Sequence, residues 1–264
     1  MGHGASGEEL ERYRGQGFLV RYGVLEEALL VRLRAAVDDI HCRINAEADR
    51  GGVETERVDG RRYQRLLEST VKWEWGERSR DIRSMEPCHH LHPELDELID
   101  DPRLCDLALD LVGEASVGLF SDKLNFKRPG GAPFPWHQDN PYWAFDCAHL
   151  DRLTSVQIYL DEATVENGCL WVIPGSHRDG SVPGHQDRGV MGRLYTDLER
   201  FEGEAPVPLT APGGSIVFFH GDLIHGSQTN RSAECRRALV FTYQPAGLPR
   251  WNLEDVRIPL MERG

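Results

Sequence analysis

Phe120-Ser-Asp-Lys-Leu-Asn-Phe-Lys127 is where the chain changes its period. Phe120, Leu124 and Phe126 alternate with Ser121, Lys123, Asn125 and Lys127, and alternation of period two is the mark of a strand with one apolar face. The pattern recurs at 153–161, where Val156, Ile158 and Leu160 oppose Ser155, Gln157 and Tyr159, and again at Cys169–Ile173, Ser215–Phe219, Leu223–Ser227 and Arg236–Tyr243. Short strands separated by Gly/Pro turns predict an all-β sandwich or barrel from about residue 114 to 245.

Toward the N-terminus the period is that of helices. Leu29, Leu33, Ala36, Val37 and Ile40 fall three and four apart, with Arg32, Arg34, Asp38 and Asp39 between them, so 25–48 reads as an amphipathic helix. Asp101-Pro102 starts a second helix, whose apolar stripe is Leu104, Leu107, Ala108 and Leu111 and whose stop is Gly113. Residues of about 1–113 are therefore expected to be a helical cap. No linker composition, repeat or low-complexity tract separates cap from core, and a single domain over 1–264 is expected. Gly175–Pro206 is the one long insertion between strands, of the kind that forms lids or binding loops.

Thirty basic against 43 acidic residues leave a net charge of −13, so no overall field draws the chain to phosphate backbones or anionic lipid. A nucleic-acid or membrane role is not expected, and a small-molecule substrate is. No apolar run approaches the ~20 residues of a membrane span. The six cysteines lack C-x-x-C spacing, which fits reduced thiols in a cytoplasmic protein.

Two histidines and one carboxylate on a common face are a known way of holding Fe(II) with positions left open for small ligands. His-x-Asp occurs three times. His185-Gln-Asp187 lies among turn residues and reads as surface loop. His220-Gly-Asp222 reads as the tip of a hairpin. His137-Gln-Asp139 is flanked by Phe134-Pro-Trp136 and Asn140-Pro-Tyr-Trp143, aromatic walls that suggest a pocket. Alternation along a strand would bring both ligands to one face. His225 is the candidate for the third, with a hydrogen-bonded core histidine as its alternative. Arg236, on a strand face shared with small Ala238 and Val240, needs an anionic partner if it is buried; a dicarboxylate held by its two-pronged guanidinium would supply one.

Together, Lys123-Leu-Asn-Phe-Lys-Arg-Pro-Gly130, Trp136-His-Gln-Asp-Asn-Pro-Tyr-Trp143, Glu166-Asn-Gly-Cys-Leu-Trp-Val-Ile-Pro-Gly-Ser-His177 and His225-Gly-Ser with Arg236 resemble the phytanoyl-CoA dioxygenase family. The resemblance covers nearly the whole chain, down to the opening Gly17-Phe-Leu-Val-Arg21. It implies a double-stranded β-helix, a cupin-like jelly roll, that uses Fe(II), 2-oxoglutarate and O2. It implies His137, Asp139 and His225 as iron ligands and catalytic centre, and Arg236, helped by Ser227, as the grip on the distal carboxylate of 2-oxoglutarate. Gln157, and Lys123 or Asn125, match further positions that contact the cosubstrate in relatives, their alternative being a solvent-facing strand side. Trp143 matches an aromatic at the substrate boundary, its alternative being core packing. Asn167-Gly168 and Pro174-Gly-Ser-His177 are family landmarks that read as a hairpin turn and a strand exit. The expected reaction oxidises an unactivated C–H bond of a small metabolite, such as a natural-product or sugar-containing intermediate, with release of succinate and CO2. A related halogenase would lack the carboxylate ligand, against which Asp139 stands, and a non-catalytic jelly roll that binds a sugar is the reading from another class.

Overall fold

The computed structural model describes residues 2–184, 189–192, 194–196, 198–201, 205–253 and 255. In chain order its elements are α1 (Gly7–Gln16), β1 (Phe18–Arg21), α2 (Glu27–Asp49), β2 (Glu56–Val58), β3 (Arg61–Leu66), β4 (Ser69–Trp73), β5 (Ile82–Glu86), α3 (Pro93–Ile99), α4 (Pro102–Val112), β6 (Val117–Asn125), β7 (Phe134–His137), α5 (Asn140–Trp143), β8 (Thr154–Tyr159), β9 (Leu170–Val172), α6 (Gly189–Gly192), β10 (Val207–Leu209), β11 (Ile216–His220), β12 (His225–Ser227) and β13 (Ala238–Pro245). The strands form two antiparallel sheets. The larger runs β1-β11-β8-β13-β6-β5-β4-β3-β2 and the smaller β10-β9-β12-β7.

The inner faces of the two sheets meet through Tyr159, Val217, Phe219 and Ala238 on one side and Leu170, Val172 and Leu209 on the other. This is the jelly roll. The outer face of the large sheet is covered by helices: Leu33, Val37, Ile40 and Ile44 of α2 and Leu104, Leu107 and Ala108 of α4 pack with Val156, Ile158, Phe218, Leu239 and Phe241. Both expected helices form, and Asp101 caps α4 by accepting from the Arg103 amide. Sealing one sheet face with helices leaves its other face to build the interior of the roll, which is where a site can be assembled.

The cap is not helical throughout. Residues 56–86 fold as the meander β2–β5, which extends the large sheet through Ser84 and Met85 of β5, paired with Asn125 and Leu124 of β6. Alternation hid these strands, because β3 is Arg-Arg-Tyr-Gln-Arg-Leu and carries charge on both faces. The turn before it, Asp59-Gly60, has both residues at positive φ (49° and 75°), the combination that the right-handed twist of a two-residue hairpin requires.

Other expectations need correction. His220 ends β11 and Asp222 precedes β12, but those strands lie in different sheets, so His220-Gly-Asp222 is a corner between sheets and not a hairpin tip. Asn167-Gly168 is likewise a crossing between β8 and β9, which are not paired. Of the insertion at 175–206, α6 and the flanking short turns are described; His185 and Asp187 lie outside the described residues. The six cysteines are thiols, none of them in a disulfide among the described residues. Among the described residues no helix is long and apolar enough to cross a membrane.

Candidate active site

His137 and His225 are direct cross-strand partners in the β7–β12 pair, and their ring centroids lie 4.2 Å apart. Each ring is oriented by its own backbone. His137 Nδ1 lies 2.7 Å from the Pro135 carbonyl and His225 Nδ1 2.9 Å from the Leu223 carbonyl. A carbonyl only accepts, so Nδ1 carries the proton in both and Nε2 keeps its lone pair. The two Nε2 atoms point at one carboxylate oxygen, Asp139 Oδ1, at 3.7 and 3.8 Å. Three ligand atoms lie within 4.8 Å of one another, the set His137, Asp139 and His225. Fixing the free nitrogen through the opposite one is how metal-binding histidines are held. Burial and the neighbouring His225 ring push the His137 imidazole well below its usual pKa, which keeps it neutral and able to ligate.

Asp139 does not arrive there by strand alternation. β7 ends at His137, and Asp139 has turned into a helical conformation at the start of α5 (φ −80°, ψ −39°). Its amide and that of Asn140 donate to the Gly221 carbonyl at 2.8 and 3.0 Å, so the sheet-to-sheet corner places the carboxylate. Gln138, fully buried between the two ligands, braces the same turn. Its amide nitrogen donates to the carbonyls of Gly180 and Asp222, and its oxygen accepts from the Val182 amide. Pro174-Gly-Ser-His177 also has a bracing part, since Ser176 Oγ accepts from the Ile224 amide next to His225.

Beside the trio a recess of about 70 Å³ runs inward, lined by Asn125, Gln157, Ser227, Arg236, Val240 and Thr242 among others. Arg236 lies two residues before β13, on the face of Ala238 and Val240 as expected, and is 2% exposed. Its Nε donates to the Gly168 carbonyl at 3.1 Å, while Nη1 is buried without a hydrogen-bond partner. An orphaned guanidinium nitrogen is costly unless an anion completes it, and a carboxylate fits. Gly168 is fixed in kind: φ is +78°, and a Cβ would stand 2.4 Å from the Gln228 carbonyl oxygen and 2.6 Å from Lys127 Cε. The Asn167-Gly168 crossing thus aims Arg236.

The remaining predicted residues gather here too. Gln157 and Asn125 are buried, with Gln157 Nε2 and Asn125 Oδ1 unpartnered; the polar side of their strands faces the recess, not solvent. Lys123 stands at the junction of the recess and an outer cleft and pairs with Glu86 at 3.3 Å. Trp143 lines both spaces and is also packed edge-on against Phe120, centroids 5.2 Å apart. Alternation had left Lys127 without a role. It is 1% exposed and donates to Ser227 Oγ at 2.6 Å. Burial, with Arg236 and Arg83 nearby, pushes its ammonium down to about 6. A local signal for it is its place beside Arg128-Pro-Gly130 at the exit of β6, but only the fold brings it to Ser227.

The phytanoyl-CoA dioxygenase (PhyH) family pattern matches residues 13–238. The chain is 35% identical over 209 residues to L-proline trans-4-hydroxylase of Streptomyces griseoviridis, covering 71% of this chain and 75% of that protein. It is 35% identical over 153 residues to methylphosphonate hydroxylase of Gimesia maris, covering 58% of this chain and 54% of that protein, about half its length. The crystal structure of EctD from S. alaskensis with 2-oxoglutarate and 5-hydroxyectoine superposes with a TM-score of 0.68 at 24% identity, over 97% of this chain and 82% of that one. With the pattern spanning both the cap and the roll that carries the trio, the chain belongs to the phytanoyl-CoA dioxygenase family.

Proposed function

We propose that the protein is a 2-oxoglutarate-dependent non-haem iron dioxygenase, with His137, Asp139 and His225 as the iron ligands. The observation that carries this reading is one juxtaposition: three converging ligand atoms, and in the adjoining recess a buried arginine with an unpartnered nitrogen. Two imidazoles and a carboxylate suit Fe(II), and leave positions free for small ligands. Bound there, Fe(II) would supply O2 activation coupled to oxidative decarboxylation of 2-oxoglutarate to succinate and CO2.

The chain's own residues bind and orient. Arg236 holds the distal carboxylate of 2-oxoglutarate through the fork left open by its bond to Gly168, and Ser227 donates from the facing strand. Gln157 and Asn125 offer an amide donor and an acceptor along the same recess. Trp143 closes the side toward the outer cleft and keeps water from the reacting centre.

The prime substrate is a small metabolite in that outer cleft, oxidised at an unactivated C–H bond by hydroxylation or oxidative cyclisation. The rings of Trp143, Tyr142 and Trp251 along the cleft suit a natural-product or sugar-containing intermediate, and the relatives named above are hydroxylases of small molecules. Incubating the protein with Fe(II), ascorbate and 2-oxoglutarate should release succinate in an iron-dependent manner. Absence of succinate and of bound iron would favour a ligand-binding jelly roll instead.

A further inference from the structure

The outer cleft, about 300 Å³, opens directly beside His137 and Asp139 and is lined by Arg61, Lys72, Arg83 and Lys123. Four cations in one cleft stand out in a chain of net charge −13. Two are answered: Lys123 lies 3.3 Å from Glu86, and Arg83 lies 3.7 Å from Glu74 with its guanidinium 4.3 Å over the Phe134 ring. The other two are not. Among the described residues no carboxylate lies within ion-pair distance of Arg61 or Lys72; Arg61 stacks over Tyr195 at 5.5 Å and Lys72 over Tyr63 at 5.1 Å. Glu56 lines the same cleft, but it is exposed and pairs with neither. The Tyr195 hydroxyl is buried with no hydrogen-bond partner among the described residues, so a donor stands ready in the cleft on the ring that Arg61 stacks over.

We propose that Arg61 and Lys72 bind an anionic group of the prime substrate, a carboxylate or a phosphonate, with its oxidised carbon lying toward His137 and Asp139. This rests on the oxygenase reading above and names the substrate class for it. Unpaired cations in a partly desolvated cleft repel one another, and a bound oxyanion removes that repulsion while accepting their hydrogen bonds. Burial, with Lys123, Arg83 and Arg61 close by, pushes the Lys72 ammonium down to about 7 against the opposing pull of Glu86, a carboxylate already paired with Lys123. The recess adjoins this cleft along Lys123, His137, Asp139 and Trp143, but its Arg236 end lies away from Arg61 and Lys72, which do not line it, and is left to 2-oxoglutarate.

The test uses the full chain loaded with Mn(II) and saturating 2-oxoglutarate, titrated with propionate and methylphosphonate and, as neutral counterparts, propionamide and dimethyl methylphosphonate. At least one anion should bind about tenfold or more tightly than its neutral counterpart, and Arg61→Gln and Lys72→Gln should each weaken it by about tenfold, the loss of one charge-assisted hydrogen bond. Lys72→Arg should retain binding. Arg32→Gln, on the far side of α2 and paired with Glu94, should change nothing. Equal binding of charged and neutral probes, no binding of either anion, or an anion preference that survives both glutamine variants would overturn the proposal. Succinate release by the wild-type chain with Fe(II) separates the two readings: without it the oxygenase reading fails, and with it but no anion preference only the anionic subsite fails.

Discussion

Changing Arg236 to lysine keeps the charge and removes the fork. In the wild type Nε is committed to the Gly168 carbonyl at 3.1 Å, and Nη1 is the nitrogen left for a carboxylate. One lysine ammonium on a thinner stem cannot serve the carbonyl and a bidentate carboxylate together. At a site 2% exposed the loss of one charge-assisted hydrogen bond is worth about 1.5–3 kcal/mol, which converts to a rise in the 2-oxoglutarate KM of roughly ten- to a hundredfold. Arg237 is the internal control. It points the other way, paired with Asp161 at 2.9 Å and Asp38 at 3.0 Å, so Arg237→Lys should alter thermal stability modestly and leave the KM alone. Initial rates of succinate formation against 2-oxoglutarate concentration measure both. An unchanged KM in Arg236→Lys, or a raised KM in Arg237→Lys alone, would refute the placement of the cosubstrate.

Gly168→Ala should disturb the same recess from behind, because its Cβ would collide with the Gln228 carbonyl and Lys127; a 2-oxoglutarate KM equal to wild type would contradict this. Lys127, held down to about 6 by burial and Arg236, should be largely neutral at pH 8 in the free protein and regain its proton when a carboxylate arrives. Binding then takes up a proton above pH 6, so 2-oxoglutarate affinity should fall as pH rises from 6 to 8, and calorimetry in buffers of different ionisation heat should register the uptake; a pH-independent affinity would refute it. Trp143→Ala should cost about 3–5 kcal/mol of stability as a large buried aromatic and, because Trp143 also lines the cleft, lower the product formed per succinate. A destabilised variant with an unchanged product-to-succinate ratio would leave Trp143 as packing alone.

The roll was legible because its strands pay alternation in a clean form: Val156, Ile158 and Leu239 face the helices while their neighbours face the interior. Alternation distinguishes apolar from polar, but it does not distinguish solvent from a polar cavity. Gln157 and Asn125 therefore read equally well as surface until the second sheet covers them. His137 and His225 were readable as candidates, whereas the position of Asp139 depends on a corner, Gly221, more than 80 residues away in sequence. The meander β2–β5 stayed hidden because one face of β3 and β4 turns to a cationic cleft, while the other carries only Leu66, Val71 and Trp73 into the core, set among Arg62, Gln64 and Ser69. Arg61, Lys72 and Arg83 thus reach the site only through the long-range pairing of β5 with β6, and Asp59-Gly60 was the single local sign of it.

Iron content of anaerobically reconstituted protein tests the central claim most directly. The wild-type chain should retain one Fe(II), His137→Ala, Asp139→Ala and His225→Ala should each lose it, and His220→Ala, whose ring bonds the Asp222 amide at the corner, should keep it. Retention of iron by the Asp139→Ala chain, or its loss from His220→Ala with the fold intact, would contradict the assignment of the trio.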